Sequence, residues 1–420
     1  MDESSALYTE IHQLVNCNSH LEKGTIDYVQ QLVQLLQRFF IVDLERAMEL
    51  KMDDLFWTTI KQLIDHIREE KGSGMHNNLD NVVNLCVSWM CDLSLKACSK
   101  YQLPCHDIPS FVSLSPGLRG DCAELVSPSA GNAFIAFLCL RLGDLFRYKG
   151  NYDLCVRLYR CSLRGNPSYG DPWNQLGLIA SLKAKPLDSL YFNVRAFHCP
   201  IPFTPASTNI SNLFRKYAQK EFSTNDCFSD QYLTILARCH FLLPVPDHAI
   251  AHVGPQLTNR KLLVAPLSLL QPLGNAQDEI RARHSLIQLL TLAFNKATEL
   301  LLCKKPIRLR PDLLLCIVLL LRVPDVCRCD PLLVSVLSES QQDVIFDNEK
   351  LETFRCFSES DPFEYPVSYG QIAGHLSELV GEKADDRKAS TQGNSRCRRR
   401  RTVLCAPQHQ FPSTNTEPDL

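Results

Sequence analysis

Residues 142–148 read LGDLFRY and residues 176–182 read LGLIASL, so that Leu142-Gly143 returns as Leu176-Gly177 after 34 residues. That period is the length of a paired-helix repeat, in which each pair leaves an apolar face for its neighbour to cover. Neighbouring positions fit the same frame. Tyr159 and Ser162 fall where the second helix of the first unit packs, Pro167 ends that unit, and Trp173 opens the next. Glycine at 143 and 177 removes the side chain where the two helices of a unit meet, while Leu and aromatic residues fill the space between units. Two units cannot form a stable array alone, so they are expected to pack on the helices before them.

Those earlier helices are legible from period as well. Ile26, Val29, Leu32, Val33, Leu36, Phe39 and Phe40 form a broad apolar face within residues 25–50, and Asp53 or Asp54 can cap a second helix faced by Phe56, Ile60, Leu63, Ile64 and Ile67. A third is expected over residues 81–99, through Val83, Cys86, Trp89, Met90 and Leu93. Residues 101–130 scatter Pro and Gly among short apolar pieces and read as a loop or weak helices. Beyond Phe203, helical segments are expected over residues 209–222, 226–241, 247–253, 275–304, 312–321 and 331–338. No stretch alternates with period two, so the fold class is all-α.

With 420 residues, 45% of them apolar, the chain can bury one large or two ordinary cores. Its 44 Lys and Arg against 46 Asp and Glu give a net charge of -2, which supplies no global field toward nucleic acid or anionic membrane. Any anion site must be local. The start lacks the basic flank and apolar run of a signal peptide, and the longest apolar run, residues 313–321, has about half the length a membrane helix needs. The chain therefore reads as intracellular, with no membrane partner. The 19 cysteines lie mostly in apolar stretches, where free Cys behaves as a small hydrophobe, and no CxxC occurs. The spacing Cys327-Arg328-Cys329 does not suit zinc, and His248-Ala-Ile-Ala-His252 lacks the Glu that a zinc hydrolase needs. GxGxxG, GxxxxGK[ST] and GxSxG are absent, so no catalytic residue, cofactor or metal is assigned.

The stretches CLRLGDLFRY (139–148), Tyr159-Arg160, Asn166-Pro167, PWNQLGLIAS (172–181) and PFTPASTN (202–209) together resemble the SMG family, the helical proteins of nonsense-mediated mRNA decay related to the yeast ever-shorter-telomeres protein. The resemblance is strong over residues 130–215 and only architectural from 220 to 345. It implies a 14-3-3-like domain with tetratricopeptide units over residues 1–222 and stacked α-helical hairpins over 223–345. Residues 346–380 are poorly defined, and 381–420 form a disordered basic tail. PFTPASTN and the basic ending resemble the branch of the seventh SMG protein, which carries no PIN nuclease-like domain. For that branch the resemblance implies an adaptor that binds the phosphorylated RNA helicase of mRNA surveillance, pairs with a related SMG protein as a heterodimer, and recruits mRNA decay factors. It would be cytoplasmic, with shuttling to the nucleus.

A phosphorylated residue brings nearly two negative charges and three strong acceptors, so it demands clustered cations with fixed donors. The family's phosphate pocket draws a Lys from an N-terminal helix and an Arg-Tyr pair from the first repeat helix. Here those positions are met by Lys61 and by Arg147-Tyr148. Spacing adds Arg68, two helical turns after Lys61 and on nearly the same face. Asp144, one turn before Arg147, can orient its guanidinium or simply balance charge on the helix. Asn174 and Gln175, at the start of the next repeat's inner helix, are placed to meet a peptide backbone. The bland alternative is a set of solvated surface charges. Two rivals stand beside this reading. One is a telomerase-associated nucleic-acid binder, which needs basic residues on an ordered surface, whereas basic clustering is evident only at Arg396–Arg401, a candidate import signal or weak nucleic-acid contact. The other is a tetratricopeptide scaffold that ignores phosphate.

Overall fold

A computed structural model describes residues 2–16, 25–69, 75–103, 124–270 and 276–302. The helices expected over 312–321 and 331–338, the Cys327-Arg328-Cys329 pair, and everything from 346 through the basic tail lie outside the described residues. Among those described, fourteen α-helices and one 3-10 turn carry the fold, and the only extended pairings are the single bridges Tyr101 to Glu124 and Tyr169 to Ile201. The chain is all-α.

The first layer comprises α1 (Glu3–Asn16), α2 (Ile26–Val42), α3 (Leu44–Glu49), α4 (Met52–Glu69) and α5 (Met75–Lys100). One helix expected over residues 25–50 is broken at Asp43, whose carboxylate accepts the Arg46 N–H and so caps α3 just as α2 ends. The last carbonyls of α2 are taken by distant side chains. Lys100 Nζ reaches Ile41 O at 2.7 Å, and the Tyr101 hydroxyl donates to the same oxygen at 2.7 Å. Helix α4 starts one residue before Asp53, after Lys51 in a left-handed conformation (φ 56°). Asp53 and Asp54 therefore occupy its first turn, where the helix dipole favours them, instead of capping it.

The paired-helix units follow as α6 (Pro128–Tyr148) with α7 (Tyr152–Gly165), and α8 (Gly170–Leu182) with α9 (Pro186–His198). Ser127 and Asn151 cap α6 and α7 through their side chains, and Pro128 occupies the first position of α6. Both expected close approaches are present. A Cβ on Gly143 would lie 2.5 Å from the buried Tyr159 ring, and one on Gly177 would lie 2.7 Å from the Asn193 amide. The segment leading into PFTPASTN folds back on the start of α8. Gly170 N–H donates to Ile201 O at 2.9 Å, and a Cβ at Gly170 would sit 2.4 Å from the Phe203 nitrogen, so only glycine fits there.

Helices α10 (Ala206–Ala218), α11 (Phe228–His240) and α12 (Asp247–Val253), a 3-10 turn (Gly254–Gln256), α13 (Arg260–Leu270) and α14 (Gln277–Leu302) complete the described chain. Sequence periodicity missed α13 because Pro266 lies inside it, where it removes an intrahelical hydrogen bond. His248 and His252 of α12 both pack edge-on against Phe222, with ring centroids 5.6 and 6.2 Å apart. They act as core-edge residues there.

Two apolar cores meet at the first repeat. One gathers α1–α5 and an inner face of α6, with Phe40, Phe56, Phe134 and Phe137 in mutual contact at centroid distances of 5.6–6.3 Å. The other runs from α6 and α7 through α14. Because α6 serves both, it is apolar nearly all round; by length and composition it could cross a membrane, yet 67% of its most apolar window is buried in the fold. Each fully buried Phe contributes about 2–3 kcal/mol of transfer free energy, which makes this junction strongly fixed.

Candidate anion-binding groove

Helices α4 and α6 run in the same direction, as their two cross-contacts show. The Arg141 guanidinium, seven residues before the end of α6, lies 4.8 Å from the centre of the Trp57 ring in the first half of α4; at the ends of both helices, the Arg68 guanidinium lies 4.5 Å from that of Tyr148. Trp57, Lys61 and Arg68 share one stripe of α4, four and then seven residues apart. Lys61 is exposed on that stripe between the two contacts. Arg141 and Tyr148, seven apart on α6, form the facing stripe.

At the far end Tyr148 is gripped by two cations. Arg68 stacks on it, and the Arg147 guanidinium lies 5.0 Å from the same ring. Cations over an aromatic face gain from its quadrupole, and the ring holds two like charges close together without neutralising either. Among the described residues, the ion pair of Arg68 is a loose one to Asp65, at 3.8 Å. The Arg147 Nε–H is buried without a hydrogen-bond partner among the described residues. The structure therefore brings Arg68, Arg147 and Tyr148 together and places Lys61 along the same groove wall.

Below this cluster lies the buried Asp144. Its Oδ2 accepts from Arg141 Nη1 at 3.1 Å and its Oδ1 from the Tyr159 hydroxyl at 3.1 Å. Burial pushes its carboxyl pKa up, opposed by Arg141 and Arg147. Desolvation also raises the Tyr159 phenol, so it stays a donor. Arg141 and Trp57 escaped the sequence reading; the signal available was Arg141-x-x-Asp144-x-x-Arg147, three charges one turn apart on α6.

Asn174 is not brought against Arg147 or Tyr148 by any described contact. It is buried in a ladder of asparagines, accepting from Asn209 Nδ2 at 2.9 Å while Asn209 also reaches Asn193 Oδ1 at 3.2 Å. Its neighbour Gln175 has a buried Oε1 with no partner among the described residues. An ordered basic face exists too. Arg157, Arg160 and Arg164 project from one exposed side of α7, with Lys183 held at its end by Asp153 at 2.6 Å. Basic clustering is thus not confined to the tail. No group of three or more His, Cys, Asp or Glu able to hold a metal occurs among the described residues.

Residues 155–293 match the family described as Est1 DNA/RNA binding domain. The chain aligns over 91% of its length with the structure of the C. elegans SMG5–SMG7 complex, covering 100% of that chain with a TM-score of 0.77 and 29% identity. In sequence and in fold the chain resembles the SMG/Est1 family. It is 26% identical over 199 residues to the nonsense-mediated mRNA decay factor SMG7 of Danio rerio, a match that covers 44% of this chain and 17% of that protein. SMG5 of Danio rerio is 30% identical over 128 residues, 28% of this chain and 12% of that protein. The matched stretches thus span less than a fifth of those relatives. The crystal structure of Est1 and Cdc13 shares the fold, with a TM-score of 0.56 at 12% identity, covering 92% of this chain and 96% of that one. The all-helical architecture matches the 14-3-3-like helical fold of the SMG5–SMG7 structure.

Proposed function

We propose that this chain is a non-enzymatic adaptor of nonsense-mediated mRNA decay whose α4–α6 groove binds a phosphorylated peptide. The carrying observation is the convergence of Arg68 and Arg147 on Tyr148, beside the exposed Lys61. A phosphate entering there meets two planar guanidinium forks and an ammonium. The proposed ligand is the phosphorylated RNA helicase of mRNA surveillance. Pairing with a related SMG protein follows the complex named for the C. elegans proteins, with recruitment of decay factors downstream and a cytoplasmic setting.

Anisotropy titrations with a phosphoserine peptide and its unmodified twin test this reading. Wild type should prefer the phosphorylated form by about 100-fold, and Lys61→Glu with Arg147→Glu should erase the preference while leaving helical content intact. Equal affinity of wild type for the twins would sink it. A second reading, nucleic-acid binding, is favoured by the Arg157–Arg160–Arg164 face inside the matched region. It predicts salt-dependent binding of single-stranded RNA that weakens when the three arginines are replaced by Glu and is indifferent to Arg147→Glu.

A further inference from the structure

Asp144 is a buried negative charge beside the groove that works against an incoming anion, and its partners decide how much. Its side chain is 4% exposed, so its charge has to be met inside the protein. Arg147 stands one turn later on the same helix, where an Asp–Arg pair ordinarily closes, and a bidentate pair would occupy the same fork that a phosphate needs. The described bonds of the carboxylate go to Oδ2 from Arg141 and to Oδ1 from Tyr159, while Arg147 is tied to the same network through the Tyr159 hydroxyl and feels Asp144 through charge, with no direct pair to it. Arg141 is itself fixed from the opposite wall by the Trp57 ring and is 17% exposed. At the equivalent positions of the second repeat, 34 residues on, Arg141, Asp144 and Arg147 are replaced together by Gln175, Leu178 and Ser181.

We infer that Arg141 is a positioning residue: as the counter-ion of Asp144, held in place by Trp57, it keeps Asp144 from closing a direct pair with Arg147 and so leaves that guanidinium able to meet phosphate. The inference rests on the phosphopeptide reading of the groove. It assigns Arg141 no contact with the ligand. Removing its charge lets Asp144 capture Arg147, and removing both charges restores Arg147.

Two measurements on the full chain test it. Phenylglyoxal labelling read by peptide mass spectrometry follows Arg147 without any ligand. The rate in Arg141→Met should fall about tenfold, the factor for one charge-assisted contact, and should return in Arg141→Met/Asp144→Asn. The asparagine side-chain carbonyl still accepts the Tyr159 hydroxyl, so the double variant keeps a buried neutral pair and guards against simple misfolding. The twin-peptide titration should track the same order, with selectivity lost in the single variant and regained in the double. An unchanged Arg147 labelling rate in Arg141→Met overturns the inference. Lost selectivity that Asp144→Asn fails to rescue overturns it too, because Arg141 would then touch the ligand or hold the fold. If labelling follows the expected order while wild type binds both twins equally, the phosphopeptide reading fails and the counter-ion role stands.

Discussion

The two repeats, α6–α7 and α8–α9, have nearly the same backbone and opposite inner chemistry. Gly143 against Tyr159 is matched by Gly177 against Asn193, and the left-handed Gly150 between the first pair of helices is matched by the left-handed Ala184 between the second, each 34 residues later. The inner-face positions diverge at every charged site, since Arg141, Asp144, Arg147 and Tyr148 become Gln175, Leu178, Ser181 and Leu182. Close helix contact requires a missing side chain wherever it occurs, so packing enforces the repeat. Nothing in packing enforces what faces the groove, so the first repeat is free to carry cations and the second an apolar and amide wall.

The sharpest way to break the comparison is to give the first repeat the second's residues. Arg147→Ser with Tyr148→Leu should cost about 100-fold in phosphopeptide affinity and leave binding of the unmodified twin unchanged, because it removes a charged fork while Leu keeps an apolar side chain where Tyr148 packs at the core edge. A retained preference would place the phosphate elsewhere. Next in size is a test of the shared contact. Gly143→Ala drives a Cβ into the fully buried Tyr159 ring and should cost about 2 kcal/mol by urea denaturation, after a gain of about 1 kcal/mol in helix propensity. Gly177→Ala meets only the end of an amide side chain and should cost less.

A pH titration separates the repeats by the same logic. Position 164 is an exposed Arg, whereas its counterpart His198 is partly buried and shares a 2.5 Å hydrogen bond with Ser268. Burial, with Arg195 nearby, lowers the His198 pKa to about 4. Above pH 6.5 neither folded nor unfolded His198 is charged. Between 6.5 and 4 the unfolded chain takes up a proton that the folded one refuses, so stability falls as pH drops through that window. From pH 7 to 5 the loss should be roughly 2 kcal/mol from this group, and urea midpoints of His198→Gln should show a correspondingly flatter dependence. His240, also lowered by burial, adds in the same direction. The smallest effect lies in the turns: Ala184→Gly should raise stability by about 0.5–1 kcal/mol, relieving a left-handed Ala (φ 53°), and a lower melting temperature would contradict this.

Much of the fold and part of the groove are legible in the residues alone. The period of 34 locates the repeats and both glycine contacts, and the seven-residue spacing of Lys61 and Arg68 puts them on one stripe. Other elements are not. Pro266 hides α13, and Asp43 splits one expected helix into two because its side chain serves the following helix better than its backbone continues the previous one. Asn174 has the residue type of a ligand contact, yet its position among Asn193 and Asn209 shows a carbonyl already in use.

The sequence by itself determined the all-α class, the paired-helix register and the cations available to a groove, because periodicity and glycine placement act locally along the chain. Only the tertiary structure decided which of those cations meet. Arg141 lies 84 residues from Trp57 and Arg68 lies 80 from Tyr148, and no local rule links partners so far apart. The parallel packing of α4 on α6, enforced by the shared core of Phe40, Phe56 and Phe137, sets Arg68 over Tyr148 and gives Asp144 to Arg141.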